Sequence, residues 1–281
     1  MNSKVIVLVV ASIASIVGIS AFFIFQEGEA QALSYDGPPK ALIIDQLYDE
    51  IPNENFHKMA TEYFQTAGYK VDIVTTKDIT VDFFRNLPSM DYKFVIIRTH
   101  GANNEDGSEV VLFTGEKYTE DKYIQEQLFG LVAKAAPILE VDYATKSDEE
   151  SNWVIVNDTY RYMSSPVEVS AHSDNAFFAI SPKMIESMNG KFKDTIFLLG
   201  GCNTLSNPSM AKALVDHGAS EVFGWNNKVG STDNDNGILY FLQSYLTQDL
   251  DFEKSLDNLQ NAMKPQLMPY PAKFIRYNNL L

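Results

Sequence analysis

Phe94-Val95-Ile96-Ile97-Arg98-Thr99-His100-Gly101 decides how this chain is built. Four apolar residues in an unbroken run mark a strand buried on both faces, the habit of parallel sheets covered by helices. The run then gives way to a cation, a hydroxyl, an imidazole and a glycine, so polar chemistry begins where the strand stops. A second stretch repeats the layout: Thr195-Ile196-Phe197-Leu198-Leu199-Gly200-Gly201-Cys202-Asn203. In open α/β sheets, sites form outside the carboxyl ends of the strands. If the two strands are parallel neighbours, His100 and Cys202 emerge on the same edge.

The flanking sequence supplies the rest of such a sheet. Residues 41–44 are a short apolar run that reads as a buried strand. Phe56, Met59, Ala60, Tyr63 and Phe64 then recur at helical spacing, with Gly68 as the stop. Residues 71–74 read as a second strand and 80–87 as a short helix ended by Pro88. This β-α-β-α-β rhythm predicts an α/β fold, a mostly parallel sheet flanked by helices on both faces. The middle of the chain is less regular. One arm of a hairpin is expected at 110–113, a helix at 123–133, a polar loop at 142–150, a strand at 153–156 and a helix at 181–188. The rhythm resumes after residue 195. A helix capped by Ser206 or Asn207, with Pro208 in its first turn and Gly218 beyond its last, is followed by a strand at 221–225. Ile238, Phe241, Leu242, Tyr245 and Leu246 mark one more helix, and Phe252, Leu256, Leu259 and Met263 the last.

Upstream of the domain, residues 5–25 carry no charge over 21 positions. As a helix that run spans roughly 30 Å, the hydrocarbon thickness of a bilayer. It predicts one N-terminal transmembrane helix after a short cytoplasmic stub, 1–4. Lys4 before it, with Glu27 and Glu29 after it, places the remainder outside the cytoplasm. Ala30-Gln31-Ala32 offers the rival reading, a cleaved signal peptide, but the apolar run is longer than a signal core needs. Residues 26–39 are polar, close on Gly37-Pro38-Pro39 and read as a tether, so the folded domain is expected over 40–281. Asn157-Asp158-Thr159 is a glycosylation triplet that suits an exported loop.

Composition narrows the function. The chain has 281 residues and a net charge of −15, which disfavours a nucleic-acid partner because phosphates call for a basic surface. A single cysteine excludes an intramolecular disulfide and a cysteine-based metal site. None of the four histidines pairs with another at ligand spacing, so no metal and no cofactor is expected. What remains is a lone thiol. A lone cysteine is usually a small buried hydrophobe, but glycines beside it are of no use to a strand interior. They let the backbone bend and leave N–H groups open toward a reacting carbonyl. A strand-end histidine is the proton acceptor such a thiol needs. His57 falls on the solvated side of the first helix, His217 at a helix end where it complements the macrodipole, and His172 in a polar loop, leaving His100 as the best partner.

Arg98-Thr99-His100-Gly101 and Leu199-Gly200-Gly201-Cys202 resemble the catalytic pair of the caspase-like cysteine peptidases, the group that includes caspases, gingipains, clostripain, separase and the CHAT domains. In that group a histidine followed by glycine ends one strand, and the cysteine ends the next core strand. Glu221-Val222-Phe223-Gly224-Trp225 followed by Ser231-Thr232-Asp233-Asn234-Asp235 is also similar to the strand, tryptophan and aspartate cluster of separase and CHAT domains. The resemblance spans roughly residues 40–250. It implies an endopeptidase in which Cys202 is the nucleophile, His100 manages protons, and the Gly101 and Cys202 N–H groups receive the oxyanion. Asp233 and Asp235 would then line the substrate pocket and favour Arg or Lys before the scissile bond of a peptide or protein substrate. Lys146 would be a candidate self-cleavage point.

There are departures from the pattern. The caspase signature Gln-Ala-Cys-Arg-Gly is absent, and Gly200 stands where several relatives carry a substrate-reading side chain. The 102-residue separation of His100 and Cys202 points to an insertion at 115–176 near the site. The alternatives are a catalytically silent binding or sensing module on the same fold, and an unrelated α/β protein with a buried cysteine.

Overall fold

The computed structural model describes residues 37–104, 107–136, 153–156, 159–162, 176–263 and 272–277. The chain divides into residues 1–37 and 38–281, and every described element belongs to the second unit. The anchor expected at 5–25, the loop at 142–150, His172, Lys146 and the Asn157-Asp158 half of the glycosylation triplet lie outside the described residues. Among the described residues no helix is long and apolar enough to cross a membrane.

The elements run β1 (Lys40–Asp45), α1 (Glu54–Thr66), β2 (Lys70–Thr75), α2 (Val81–Asn86), β3 (Phe94–Arg98), β4 (Gly101–Asn103), β5 (Val110–Lys117), α3 (Ile124–Leu128) and β6 (Val132–Ala135). They continue with β7 (Trp153–Val156), β8 (Thr159–Tyr162), β9 (Phe177–Ile180), α4 (Pro182–Glu186), β10 (Thr195–Gly200), α5 (Ser209–Asp216), β11 (Ala219–Trp225), α6 (Ser231–Leu242), α7 (Phe252–Met263) and β12 (Phe274–Arg276). The main sheet has six strands in the order β12-β11-β10-β3-β1-β2, all parallel except β12. A second sheet, β4-β5-β9-β6, is antiparallel, and β7 and β8 form a separate pair.

Strand alternation splits the apolar residues between two cores. Leu42, Ile44, Val95, Ile97, Phe197, Leu199 and Val222 point to one face, where α2, α4, α5 and the second sheet cover them. Ala41, Ile43, Phe94, Ile96, Leu198, Phe223 and Trp225 point to the other, under α1, α6 and α7. A sheet covered on both faces needs strands that are apolar throughout, which is why β1, β3 and β10 lack alternation in their sequences.

The local signals explain most boundaries. Asn53 caps α1 by accepting from Phe56 N at 3.0 Å, and Thr80 caps α2 by accepting from Phe83 N at 3.0 Å. Asn207 Oδ1 accepts from Ser209 N at the start of α5, and Gly218 beyond its end has φ of +105°. The expected helix over 123–133 is not formed. Only α3 is helical, because Gly130 takes the left-handed region at φ +70° and Val132–Ala135 turns instead into β6 beside β9. The chain between 115 and 176 therefore contributes a strand to the second sheet. Strands β4, β6, β8, β9 and β12 are additions to the expected elements.

Candidate active site

Strands β3 and β10 are adjacent and parallel, with Ile97 opposite Leu199 and Arg98 opposite Gly200. His100 and Cys202 each stand two residues beyond the last of these pairs, at the carboxyl edge of neighbouring strands that lie about 4.8 Å apart. The two turns touch through their backbones. Thr99 N donates to Gly200 O at 2.8 Å. A Cβ on Gly201 would sit 2.2 Å from Thr99 O, and one on Gly101 would sit 2.4 Å from Cys202 O. Both glycines are therefore obligatory for this approach, and they bring the Gly101 and Cys202 peptide units together. Directly after the cysteine, Asn203 adopts φ of +57°, a left-handed conformation that turns the chain sharply back toward the sheet. Its N–H is clipped to Asn227 O at 3.1 Å.

Cys202 is half-buried. Its Sγ lies 3.4 Å from Val229 O and 3.5 Å from Val229 N, so the thiol rests on the loop between β11 and α6. Lys228, the neighbour of Val229, is buried in that same loop. His100 is also partly open, with 28% of its side chain exposed. Its ring packs against Phe113 of β5 at 5.5 Å between centroids, and its Nε2 lies 3.0 Å from Glu50 Oε2. The hydrogen bond from His100 holds the Glu50 carboxyl below the usual carboxylate range, against the opposing effect of partial burial.

Beneath this open rim, on the α1 and α6 face of the sheet, lies a buried ionic network centred on Arg98. Its Nε and Nη2 donate to the two oxygens of Asp235 at 2.7 and 2.9 Å, its Nη1 to Asp45 Oδ1 at 2.8 Å, and its Nη2 also to Ile51 O at 2.9 Å. Asp235 accepts in addition from Asn53 Nδ2 and Asn234 Nδ2, and Asn234 Oδ1 accepts from the indole N–H of Trp225. Burial alone would lower the Arg98 guanidinium, but the two carboxylates outweigh it and hold the group above its ordinary value.

This network corrects two expectations. Asp235 is buried and fully engaged by internal donors, so it is not an open carboxylate facing a substrate cation. His57 is buried rather than solvated: its Nε2 lies 2.8 Å from Asp45 Oδ2, and its ring stacks on Tyr48. A strand-end Asp45 turned inward drags the helix histidine with it. Asp233 is placed differently from Asp235. It lies in the first turn of α6, half-exposed, with its Oδ2 3.4 Å from the Cβ position of Gly230 in the loop that touches Cys202. The helix starts at Ser231, so Asp233 lies inside the first turn and is not its N-cap. At Gly200 a Cβ would meet Ile238 Cδ1 at 2.6 Å, so this position faces α6 and has no room for a substrate-reading side chain. His217 is buried at the end of α5, away from β3, and desolvation lowers its pKa, with Lys191 adding to the effect.

Glu50 is the functional candidate that sequence reasoning passed over. It lies in an aperiodic loop, and its contact with His100 spans 50 residues of chain. Among the described residues no group of three or more His, Cys, Asp or Glu is arranged to hold a metal ion. No protein-family model matches the sequence, and no curated protein matches it.

Proposed function

We propose that this chain is a cysteine endopeptidase of the caspase-like type, with Cys202 as nucleophile and His100 as its proton carrier. One observation carries the reading: the lone thiol and a strand-terminal imidazole leave adjacent parallel strands at the same edge, through turns whose glycines let the two backbones touch. That is the arrangement the resemblance implies, a histidine-glycine turn ending one strand and a cysteine ending the next.

In the proposed cycle the Cys202 thiol gives its proton to the imidazole, and the thiolate attacks the scissile carbonyl carbon. A C–S bond forms, and the carbonyl oxygen takes up negative charge facing the Gly101 and Cys202 N–H groups. Removing one donor of this kind costs about 3–4 kcal/mol of transition-state stabilisation. Collapse of the intermediate breaks the C–N bond, and the imidazolium returns the proton to the leaving amine. Water then hydrolyses the thioester. Asp233 is the carboxylate available to select Arg or Lys before the scissile bond, since Asp235 is occupied by Arg98. The uncharged run at 5–25 favours a membrane-anchored enzyme with this domain outside the cytoplasm.

Hydrolysis of Arg- and Lys-containing peptides by the full-length protein tests the proposal. Cys202→Ala and His100→Ala are each expected to abolish turnover, and normal turnover in either variant contradicts the mechanism. A second reading, a silent binding module on the same fold, draws on the contact of Sγ with Val229 O, which suits a resting thiol. A Cys202 that resists iodoacetamide at neutral pH selects that reading.

A further inference from the structure

The loop between β1 and α1 is fastened to the strand that carries His100 at both of its ends. At its start, Gln46 N donates to Arg98 O at 2.9 Å, and the buried Gln46 Oε1 accepts from His100 N at 3.1 Å and from Thr99 Oγ1 at 3.2 Å. Toward its far end, Ile51 O accepts from the buried Arg98 guanidinium, and Asn53 Nδ2 donates to Asp235. Between these fixed points the loop folds on itself, with Ile51 N donating to Leu47 O at 2.7 Å. Glu50 is the residue this folded loop presents to the imidazole. An exposed ion pair on flexible stems is worth little, because side-chain entropy opposes it. Here the backbone on both sides of the carboxylate is anchored to β3, so the pairing geometry is imposed by the loop and not left to two side chains.

We propose that Glu50 is a positioning residue: by accepting from His100 Nε2–H it fixes the ring between the β1–α1 loop and Phe113, leaves Nδ1 as the nitrogen that receives the thiol proton, and stabilises the imidazolium that results. This deepens the proposed peptidase reading and rests on it. The logic is that of an orienting acceptor behind a catalytic or metal-bound histidine, which sets the tautomer and raises the basicity of the other nitrogen. The proton accounting is closed. The thiol proton passes to Nδ1, the ring carries one positive charge, the sulfur one negative charge, and Glu50 remains a carboxylate throughout.

The test is the pH dependence of Cys202 alkylation by iodoacetamide in the full-length protein, compared among wild type, Glu50→Gln, Glu50→Ala and His100→Ala. This readout needs no turnover. At pH 6 the rate is expected to fall about three- to tenfold in Glu50→Gln, where the hydrogen bond survives and the charge does not, and further in Glu50→Ala. At pH 10 all four proteins should react alike, because every accessible thiol is then ionised. Superimposable profiles for wild type and Glu50→Gln overturn the proposal. So does an equal loss at every pH, which is what a merely structural role produces. A wild type whose alkylation at pH 6 depends on Glu50 but which hydrolyses no peptide supports the positioning role and removes the peptidase reading alone.

Discussion

Two polar clusters share the carboxyl edge of the main sheet and are built on opposite terms. Around Arg98 every charge is buried and hydrogen-bonded: Asp45 and Asp235 take the guanidinium, His57 meets the other oxygen of Asp45, and the two asparagines donate to the same Asp235 oxygens that Arg98 engages. Around Cys202 the groups are half-open: the thiol rests on Val229, and His100 pairs with Glu50 at the surface. The difference separates a buried scaffold from an open rim. A fully satisfied buried network fixes the relative positions of the β1–α1 loop, the end of β3 and the first turn of α6. The thiol, the imidazole and Asp233 sit on those three fixed parts or beside them, at the half-exposed rim.

The contrast can be broken most severely from the buried side. Arg98→Leu leaves two carboxylates buried without their cation and is expected to destabilise the fold by about 3–5 kcal/mol in urea unfolding. Cys202→Ala should shift the unfolding midpoint far less while ending turnover, because the half-buried sulfur packs only at the margin of the α1–α6 core and carries no buried charge. A single methyl at the junction of the two turns comes next. Gly201→Ala places a Cβ against Thr99 O and is expected to cost about 1–3 kcal/mol, with loss of activity beyond what the stability change explains, since the His100 turn must move away.

The two neighbouring aspartates sharpen the same division. Asp235→Asn should lower stability through the Arg98 network and affect Arg and Lys substrates without preference. Asp233→Asn should leave stability within about 0.5 kcal/mol, the usual range for surface changes, and raise KM for Arg substrates while sparing kcat. Equal effects of both changes on substrate preference would show that the division between them is wrong. The smallest effect belongs to Glu50. Its carboxyl is held below the ordinary range by His100, so whatever stability the pair contributes is complete above that range and fades as pH falls through the lowered value. With the carboxylate more than a third exposed, the contribution is expected to stay below about 0.5 kcal/mol, read as the Glu50→Gln difference between pH 7 and pH 3.

The parts of this molecule legible in its sequence are those whose signal is local. Runs such as Phe94–Arg98 and Thr195–Gly200 read directly as strands because a sheet covered on both faces tolerates no polar position. The residues that follow them, His100 and Cys202 among them, then share the carboxyl edge of the sheet. What escaped reading depends on partners distant in sequence. Asp235 has the appearance of a pocket residue until Arg98, 137 positions away, closes on it. His57 falls on a helix face that periodicity assigns to solvent, but Asp45 turns inward at the end of β1 and holds it. Glu50 lies in a polar loop with no periodic signal, and only the folding of that loop onto β3 brings it to His100. The expected helix over 123–133 failed for a local reason that was visible: Gly130 stands inside it.

The proposed function requires that Cys202 and His100 act together on a peptide bond. Labelling the full-length protein with a peptidyl-Arg electrophile, followed by mass spectrometry, tests it most directly in wild type, Cys202→Ala and His100→Ala. One adduct is expected, on Cys202, absent from Cys202→Ala and formed far more slowly in His100→Ala. An unlabelled wild type, or labelling of His100→Ala at the wild-type rate, would contradict it.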